Sequence, residues 1–243
     1  MKKRTTCIVL CVVLLLLGLT GCQNTADPNV KTGTYNGQTI TMEYAVKTDI
    51  DYPHDMAYIR MVNGYALFYN YNYRDFENDW SGDPWNMLNR QGEIVFDVPY
   101  QNLSYFNSEG QAAGQNQSGE YVMVNASGEE TPITEEEYRI FNKEQSDKHK
   151  EVGRHFEIED YDETEDFESE FTVGYVYNGL APYVQLLDDG THLLGIIDEN
   201  ENIVIPAYLP VQFHWRNYRL SMYEDTIIID DGGKIGIVTI TRS

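Results

Sequence analysis

The chain has 243 residues and is strongly acidic, with 17 Lys and Arg against 39 Asp and Glu and a formal charge of −22. A surface of this charge repels the phosphate backbone, so nucleic acid is not an expected partner. Hydrophobic residues make up 42% of the chain and aromatic residues 13%, which excludes a chain that is disordered throughout. This length allows one large domain or two small ones.

The N-terminus carries the features of an export signal. Lys2, Lys3 and Arg4 form a positively charged segment, and residues 7–17 are an unbroken apolar run. A membrane-spanning helix needs about 20 apolar residues, so this run is too short to span comfortably and fits the hydrophobic region of a signal peptide. The sequence therefore predicts a signal peptide over residues 1–21.

Residues 19–22 contain a candidate signal for attachment of the chain to a membrane. Leu19, Thr20, Gly21 and Cys22 resemble the lipobox of bacterial lipoproteins, in which the Cys receives diacylglycerol. The resemblance implies a lipid on Cys22 and a protein held on the cell membrane, facing outside the cytoplasm. A plain signal peptide or an uncleaved anchor is the alternative. The small polar residues that follow predict that residues 22–34 are the lipidated Cys and a flexible tether, and that the folded domain spans residues 35–243.

One segment recurs four times along this domain. The copies start at Trp85, Tyr121, Leu194 and Ile235, and each begins with a short apolar stretch. In the first three copies a polar turn and a second strand, or its remnant, follow, and a turn with another strand precedes each copy. The pattern predicts a repeated unit of strand, connector, strand, turn and strand. The second and third copies are about twice as far apart as the others, which indicates a decayed copy or an insertion between them.

The third copy resembles the WG-repeat family, whose motif runs Gly-Leu-Ala, then Trp-Gly-Tyr-Ile-Asp, then Ile-Val-Ile-Pro. The matching residues are Gly179-Leu180-Ala181, Gly195-Ile196-Ile197-Asp198 and Ile203-Val204-Ile205-Pro206. The family Trp is present only at Trp85, and Glu201 stands where the turn Gly belongs. The resemblance covers about residues 56–133 and 171–240. It implies an all-β fold of antiparallel β-meander repeats, stacked as an open array or a propeller-like partial ring, and an interaction role without a general catalytic signature.

An insertion with helical and acidic parts is predicted over residues 134–170. Thr134 and Glu137 form a capping-box pattern, which is typical of a helix N-terminus. Tyr138, Phe141 and Gln145 share one side at helical spacing, so we expect a short helix that packs on the sheets.

Neither a metal nor a cofactor is expected. Residues 157–170 hold nine acids, but no Gly turn arranges their oxygens around a cation, so this run is predicted to be a surface loop that contributes charge rather than fold. Residues 198–202 begin like an EF-hand loop, yet Ile203 stands where that loop needs Gly. The five His lack HxH or HxxxH spacing and give zinc no local frame.

No motif in the sequence supports catalysis. There is no Gly-x-Ser-x-Gly elbow, and after signal cleavage Cys22 is the only Cys left. Because the lipid occupies Cys22, neither a thiol nucleophile nor a disulfide is available. We therefore expect a protein that is not an enzyme. A hydrolase of unknown class remains an alternative, since paired carboxylates are not excluded by sequence in a chain this acidic.

Aromatic residues offer a binding hypothesis. Packing between strands is the favoured interpretation of the aromatic residues around the first copy, but the connector of residues 70–84 is long, and long connectors often carry function. We predict that it is a recognition loop, and the candidate ligand-binding residues are Tyr71, Tyr73, Phe76, Trp80 and Trp85. The predicted function is a surface-tethered, non-catalytic interaction or scaffold module with an unknown protein partner. A cell-wall or environmental glycan is the alternative partner.

Overall fold

The computed structural model describes residues 27–53, 59–70, 84–150, 171–174, 176–212, 220 and 222–243. Over these ranges the chain is all-β with one helix, α1 (Glu135–Lys150), as the sequence predicts. The strands are β1 (Val30–Tyr35), β2 (Gln38–Asp51), β3 (Met61–Val62), β4 (Tyr65–Tyr69), β5 (Trp85–Asn89), β6 (Asn102–Leu103), β7 (Gln111–Gln115), β8 (Tyr121–Asn125), β9 (Glu130–Pro132), β10 (Phe171–Val173), β11 (Leu180–Leu186), β12 (His192–Asp198), β13 (Ile203–Val211), β14 (Met222–Tyr223), β15 (Thr226–Asp231) and β16 (Lys234–Arg242).

The strands form four antiparallel sheets, one for each predicted repeat copy. Sheet 1 contains β3 to β5, sheet 2 contains β6 to β9, and sheet 3 contains β10 to β13, each in chain order. Sheet 4 has the order β1-β2-β16-β15-β14. The predicted meanders are therefore confirmed, and each sheet is open, with two edge strands.

Sheet 4 joins the two ends of the described chain. β16 of the fourth copy pairs with β2, with Met42 opposite Ile240 and Val46 opposite Ile237. β2 therefore takes the place in sheet 4 that β9 has in sheet 2 and β13 has in sheet 3. Residues 38–51 match no repeat motif, and for this reason their role in completing the fourth copy is not visible in the sequence pattern.

The predicted tether is wrong at its C-terminal end. β1 begins at Val30, inside the predicted tether of residues 22–34, and pairs along its length with β2. Gly33 has the composition of a linker, but it lies against β13, where a Cβ would overlap the carbonyl oxygen of Val204. The small residue therefore permits close packing on sheet 3 rather than flexibility.

The sheets stack in the order 2, 1, 4, 3 through three apolar clusters. Phe106 lies in the cluster between sheets 2 and 1, and Phe68 lies in the one between sheets 1 and 4. Met42 and Leu180 belong to the cluster between sheets 4 and 3. Each sheet therefore buries apolar residues against a neighbouring sheet, which is the mode of stabilisation expected for repeat proteins. Sheet 3 has a further, smaller cluster of its own around Tyr183.

Strand β15 explains why the inner sheets have uninterrupted apolar runs. Ile227 and Ile229 belong to the cluster facing sheet 3, whereas Ile228 belongs to the cluster facing sheet 1. Successive side chains of a strand point to opposite faces. Because both faces of sheet 4 are covered, all three positions from 227 to 229 are apolar.

Two kinds of turn with left-handed residues recur in the sheets. The first kind has two left-handed residues in succession, at Asn63–Gly64, Asn178–Gly179 and Glu224–Asp225. The second kind has one, at Gly92, Gly128 and Glu201. The predicted turns at residues 89–92, 125–128 and 198–202 are confirmed, and Glu201 adopts the conformation that Gly has in the other two copies.

Side chains connect the turns of neighbouring sheets. Glu224 of sheet 4 accepts hydrogen bonds from the backbone N–H groups of Asn63 (2.5 Å) and Gly64 (3.0 Å) and from Arg90 Nη2 (3.0 Å), all in sheet 1. On the other side of sheet 4, Arg242 Nη1 donates to Asn178 O of sheet 3 at 3.0 Å. Glu224, which stands where the first and third copies have Asn63 and Asn178, therefore holds two sheets together.

The predicted helix and its cap are confirmed. Thr134 N–H donates to Glu137 Oε2 at 2.7 Å, and Glu137 N–H donates to Thr134 Oγ1 at 3.2 Å. The ring of Tyr138 lies 5.1 Å from that of Tyr121 in β8, and Gln145 is buried. Helix α1 therefore packs on sheet 2 with the side that was predicted, whereas the acidic run of residues 157–170 lies outside the described residues.

Candidate functional site

Most of the predicted site residues lie outside the described ranges. They are Cys22, Tyr71, Tyr73, Phe76 and Trp80. Trp85 is described and begins β5, where it pairs with Tyr69 of β4. The two rings lie 3.9 Å apart and Trp85 is half-buried. Trp85 therefore packs against Tyr69 within sheet 1.

The base of the predicted recognition loop is fixed to sheet 1. Asn70 N–H donates to the carbonyl oxygen of Pro84 at 2.7 Å. The stacked rings of Tyr69 and Trp85 lie directly beside this hydrogen bond in the sequence. The described residues on either side of the predicted loop, Asn70 and Pro84, therefore lie side by side.

A cleft of about 320 Å³ lies between sheets 1 and 2. One wall is the segment of residues 95–100, which connects β5 to β6. The opposite wall consists of two turns of sheet 2 and the start of β9. The residues of this second wall are Asn116, Gln117, Ser127, Gly128 and Glu130.

Sheet 1 holds the first wall in place. Asn86 is fully buried, and its side chain makes two hydrogen bonds to the backbone of Phe96, donating to the carbonyl oxygen at 2.8 Å and accepting from the N–H at 3.2 Å. Trp85 and Tyr100 exchange two backbone hydrogen bonds of 2.9 and 2.8 Å. Trp85 therefore positions the wall of the cleft through its backbone without lining the cleft itself.

A hydrogen-bonded group joins the two walls of the cleft. Tyr100 Oη donates to Glu130 Oε1 at 2.8 Å, and Asn116 Nδ2 donates to Glu130 Oε2 at 3.2 Å. Burial raises the pKa of the Tyr100 phenol, and the hydrogen bond and negative charge of Glu130 raise it further. Tyr100 therefore stays protonated and keeps the Glu130 carboxylate in a fixed position.

The charge of the cleft is negative. Asp97 and Glu130 line it, both are exposed, and none of the described lining residues is Lys, Arg or His. Val98 is 47% exposed, whereas Phe96 and Tyr100 are each 4% exposed. The cleft therefore offers carboxylate oxygens and aliphatic surface, while its aromatic rings are covered and present no face for stacking.

The turn that begins like an EF-hand uses its oxygens internally. Asp198 Oδ1 accepts the backbone N–H groups of Asn200 at 2.8 Å and Asn202 at 2.9 Å, and Asn202 Nδ2 donates to Asp198 Oδ2 at 2.9 Å. The side-chain hydrogen bond from Asn202 lowers the pKa of Asp198, and the backbone hydrogen bonds add to this effect. Within the described ranges, no three His, Cys, Asp or Glu side chains come together as metal ligands.

Sequence reasoning did not identify the cleft residues Asp97, Tyr100, Asn116 and Glu130. They belong to two repeat copies and to three separate segments, so no local spacing connects them. The one available signal was Val98 followed by Pro99, an exposed apolar residue in a short connector between strands.

In the described part of the chain, no helix has the length and apolar character needed to cross a membrane. No protein-family model matches the chain, and no curated protein matches it. The resemblance to WG repeats therefore rests on the motif residues themselves.

Proposed function

We propose that the protein is a lipid-anchored, non-catalytic module that presents a β-repeat array outside the cytoplasm for interaction with a partner protein. The observation that carries this proposal is the stack of four sheets, in which the repeated motif residues are used for packing and for turns. A stack of this kind exposes sheet edges, turns and connecting segments as an extended binding surface. The acidic composition favours a partner with a basic surface.

The membrane anchor is tested by changing one residue. Cys22→Ala should release the protein from the membrane fraction or leave its signal uncleaved, because no sulfur is present to receive diacylglycerol. Fractionation with mass spectrometry of the N-terminus measures both outcomes. A variant that is still cleaved after residue 21 and still sediments with the membrane would contradict lipidation.

The interaction role is tested by partner capture from intact cells. Cross-linking at the cell surface, followed by purification of the full-length chain, should recover the same partner protein repeatedly. The Cys22→Ala variant is the control, because a released chain should lose partners that depend on position at the membrane. Repeated recovery of no protein partner would contradict the interaction role.

A glycan partner is the second candidate, and the fixed base of the loop favours it. The Asn70–Pro84 hydrogen bond brings both ends of the aromatic segment to one place on sheet 1. A glycan array with wild type and with Trp80→Ala tests this alternative, and Trp80-dependent binding would support it. Trp85→Ala is a poor probe, because loss of the stack on Tyr69 also removes packing from sheet 1.

The absence of catalysis is a separate part of the proposal. Activity-based probes and hydrolase panels should detect no turnover with the purified chain. Asp97 and Glu130 lie exposed in the cleft, whereas catalytic groups usually act in a site that excludes water. Turnover that disappears in Glu130→Gln would promote the hydrolase alternative.

A further inference from the structure

The cleft between sheets 1 and 2 has the size and charge of a receptor for one basic side chain. We infer that it binds a Lys or Arg side chain of a partner polypeptide, with Glu130 as the main contact and Asp97 as the second. This inference deepens the proposed function and rests on it, because it specifies the chemistry of the protein partner.

The volume limits what the cleft can hold. At about 320 Å³ it is at the lower end of the range of small-molecule pockets, which is about 300–1,000 Å³. This space suits a single long side chain rather than a large cofactor. The exposed side chain of Val98 offers aliphatic surface to the methylene stem of Lys or Arg, which commonly packs on apolar surface while its charged end reaches polar groups.

The hydrogen bonds prepare Glu130 to receive a cation. A carboxylate has about four lone-pair positions, and those of Glu130 receive one donor from Tyr100 and one from Asn116. Both donors are neutral, so the negative charge keeps its attraction for a cation. Because the two bonds already hold the carboxylate still, less side-chain freedom is lost when a charged partner binds.

The same geometry argues against two other ligands. Sugars are usually recognised on an exposed aromatic face, but Phe96 and Tyr100 are each 4% exposed. Calcium requires six to eight oxygen ligands, and the described residues contain no group of three ligating side chains. A basic side chain needs only what the cleft offers, namely the Glu130 carboxylate, which two hydrogen bonds hold in place, beside the exposed side chain of Val98.

The test uses two short peptides and the full-length chain, ¹⁵N-labelled in detergent micelles. The probe is acetyl-Gly-Gly-Lys-Gly-Gly-amide, and its control carries norleucine in place of Lys, which retains an aliphatic side chain without the charge. We expect the Lys peptide to shift the backbone amide signals of Val98, Ser127 and Gly128, and the norleucine peptide to leave them in place. Added salt should weaken binding, because exposed charge pairs are screened.

Two matched variants assign the effect to the cleft. Glu130→Gln keeps an acceptor for Tyr100 and removes the charge, and it should weaken binding of the Lys peptide about three- to fivefold, as expected for loss of an exposed ion pair. Glu129→Gln removes one charge at the neighbouring residue, which bonds Asn125 at 2.7 Å and does not line the cleft. It should retain binding within about twofold, as expected for a small change in a screened long-range field.

Several results would overturn the basic side-chain site. They are an absence of shifts with the Lys peptide, equal shifts with norleucine, and equal effects of the two Glu variants. Partner capture separates this failure from failure of the interaction role. A partner that is captured equally well by wild type and Glu130→Gln would refute the cleft as its contact and leave the interaction role supported.

Discussion

The second and third repeat copies contain the same turn built from different residues. In the second copy, Asn125 Oδ1 accepts the backbone N–H groups of Ser127 at 2.9 Å and Glu129 at 3.0 Å. In the third copy, Asp198 Oδ1 accepts the N–H groups of the residues two and four positions later at 2.8 and 2.9 Å. The side-chain acceptor at the first position is therefore common to both turns.

The two turns differ at the left-handed position. Gly128 has φ of 78°, and Glu201 has φ of 64°. A side chain is strained in this conformation, whereas Gly is not. The acceptor therefore specifies the turn, and Gly reduces strain without being required. Separate substitutions at the acceptor position and at the left-handed position test these two statements.

Removal of the acceptor should have the largest effect. Asp198→Ala should lower the free energy of unfolding by about 2 kcal/mol, because hydrogen bonds to a charged acceptor contribute about 1.5–3 kcal/mol and two backbone donors lose theirs. Urea denaturation measures the change. The control is Glu199→Ala at the next, exposed position, which should change stability by less than about 0.5 kcal/mol. Equal losses in the two variants would show that Asp198 does not specify the turn.

The charge on Asp198 should make the third-copy turn sensitive to acid. Its pKa is lowered in the folded protein, chiefly by the side-chain hydrogen bond from Asn202. A lowered folded pKa means that the carboxylate stabilises the fold above its unfolded pKa of about 4, and that this stabilisation is lost as the pH falls through the folded value. The stability difference between wild type and Asp198→Asn should therefore shrink from pH 6 to pH 2.

The matched change in the second copy is Asn125→Asp combined with Glu129→Asn, which reproduces the Asp198–Asn202 pair of the third copy. In the wild type, Asn125 Nδ2 donates to Glu129 Oε2 at 2.7 Å, so Asn125→Asp alone would place two carboxylates against each other. The double change should introduce the acid-sensitive contribution of the third-copy turn, because a carboxylate then accepts the same two backbone donors and a side-chain amide. Denaturation series at several pH values measure both variants. An unchanged pH profile in both would mean that the charge of the acceptor is irrelevant to the turn.

These turns also show which structural features can be predicted from the sequence. Asn-x-x-Gly in residues 125–128 has a local physical meaning, because a side-chain acceptor and a residue free to adopt positive φ lie at fixed spacing. The same holds for the capping box of Thr134 and Glu137. The sequence therefore predicts features that depend on residues within about five positions of one another. These features include most strands of the four copies.

Features formed by distant segments were not predicted. β2 completes the fourth copy by pairing with β16, and nothing in residues 38–51 encodes that partner apart from alternation. Gly33 is a residue type that is common in linkers, and only its contact with β13 shows why a small residue is needed there. The cleft depends in the same way on Asp97 and Glu130 from different copies, and only the stacking of sheets 1 and 2 brings them together.

Strain at the Gly position should produce the next effect in size. Gly128→Val should lower the free energy of unfolding by about 1–2 kcal/mol, because a β-branched residue is forced into a left-handed conformation. A Cβ at residue 128 meets no atom within 4 Å, so steric clash does not contribute. Ser127→Val is the control, since Ser127 is exposed and does not have positive φ. Thermal unfolding at the same temperature for both variants would contradict the assigned strain.

The smallest effect should have the opposite sign. Glu201→Gly should raise the free energy of unfolding by about 0.5 kcal/mol, because relief of about 1–2 kcal/mol of left-handed strain exceeds the roughly 0.5–1 kcal/mol that the added freedom of Gly in the unfolded chain costs. The backbone N–H of residue 201, which donates to Asp198 O at 3.0 Å, is retained.

Asn200→Gly is the matched control, since residue 200 does not have positive φ. It gains no relief and should lose about 0.5–1 kcal/mol, the entropic penalty alone. Opposite signs at adjacent residues would establish that conformation, rather than Gly as such, sets the energy of this turn. Destabilisation by both changes would mean that the Glu201 side chain contributes more to the third copy than its strain removes.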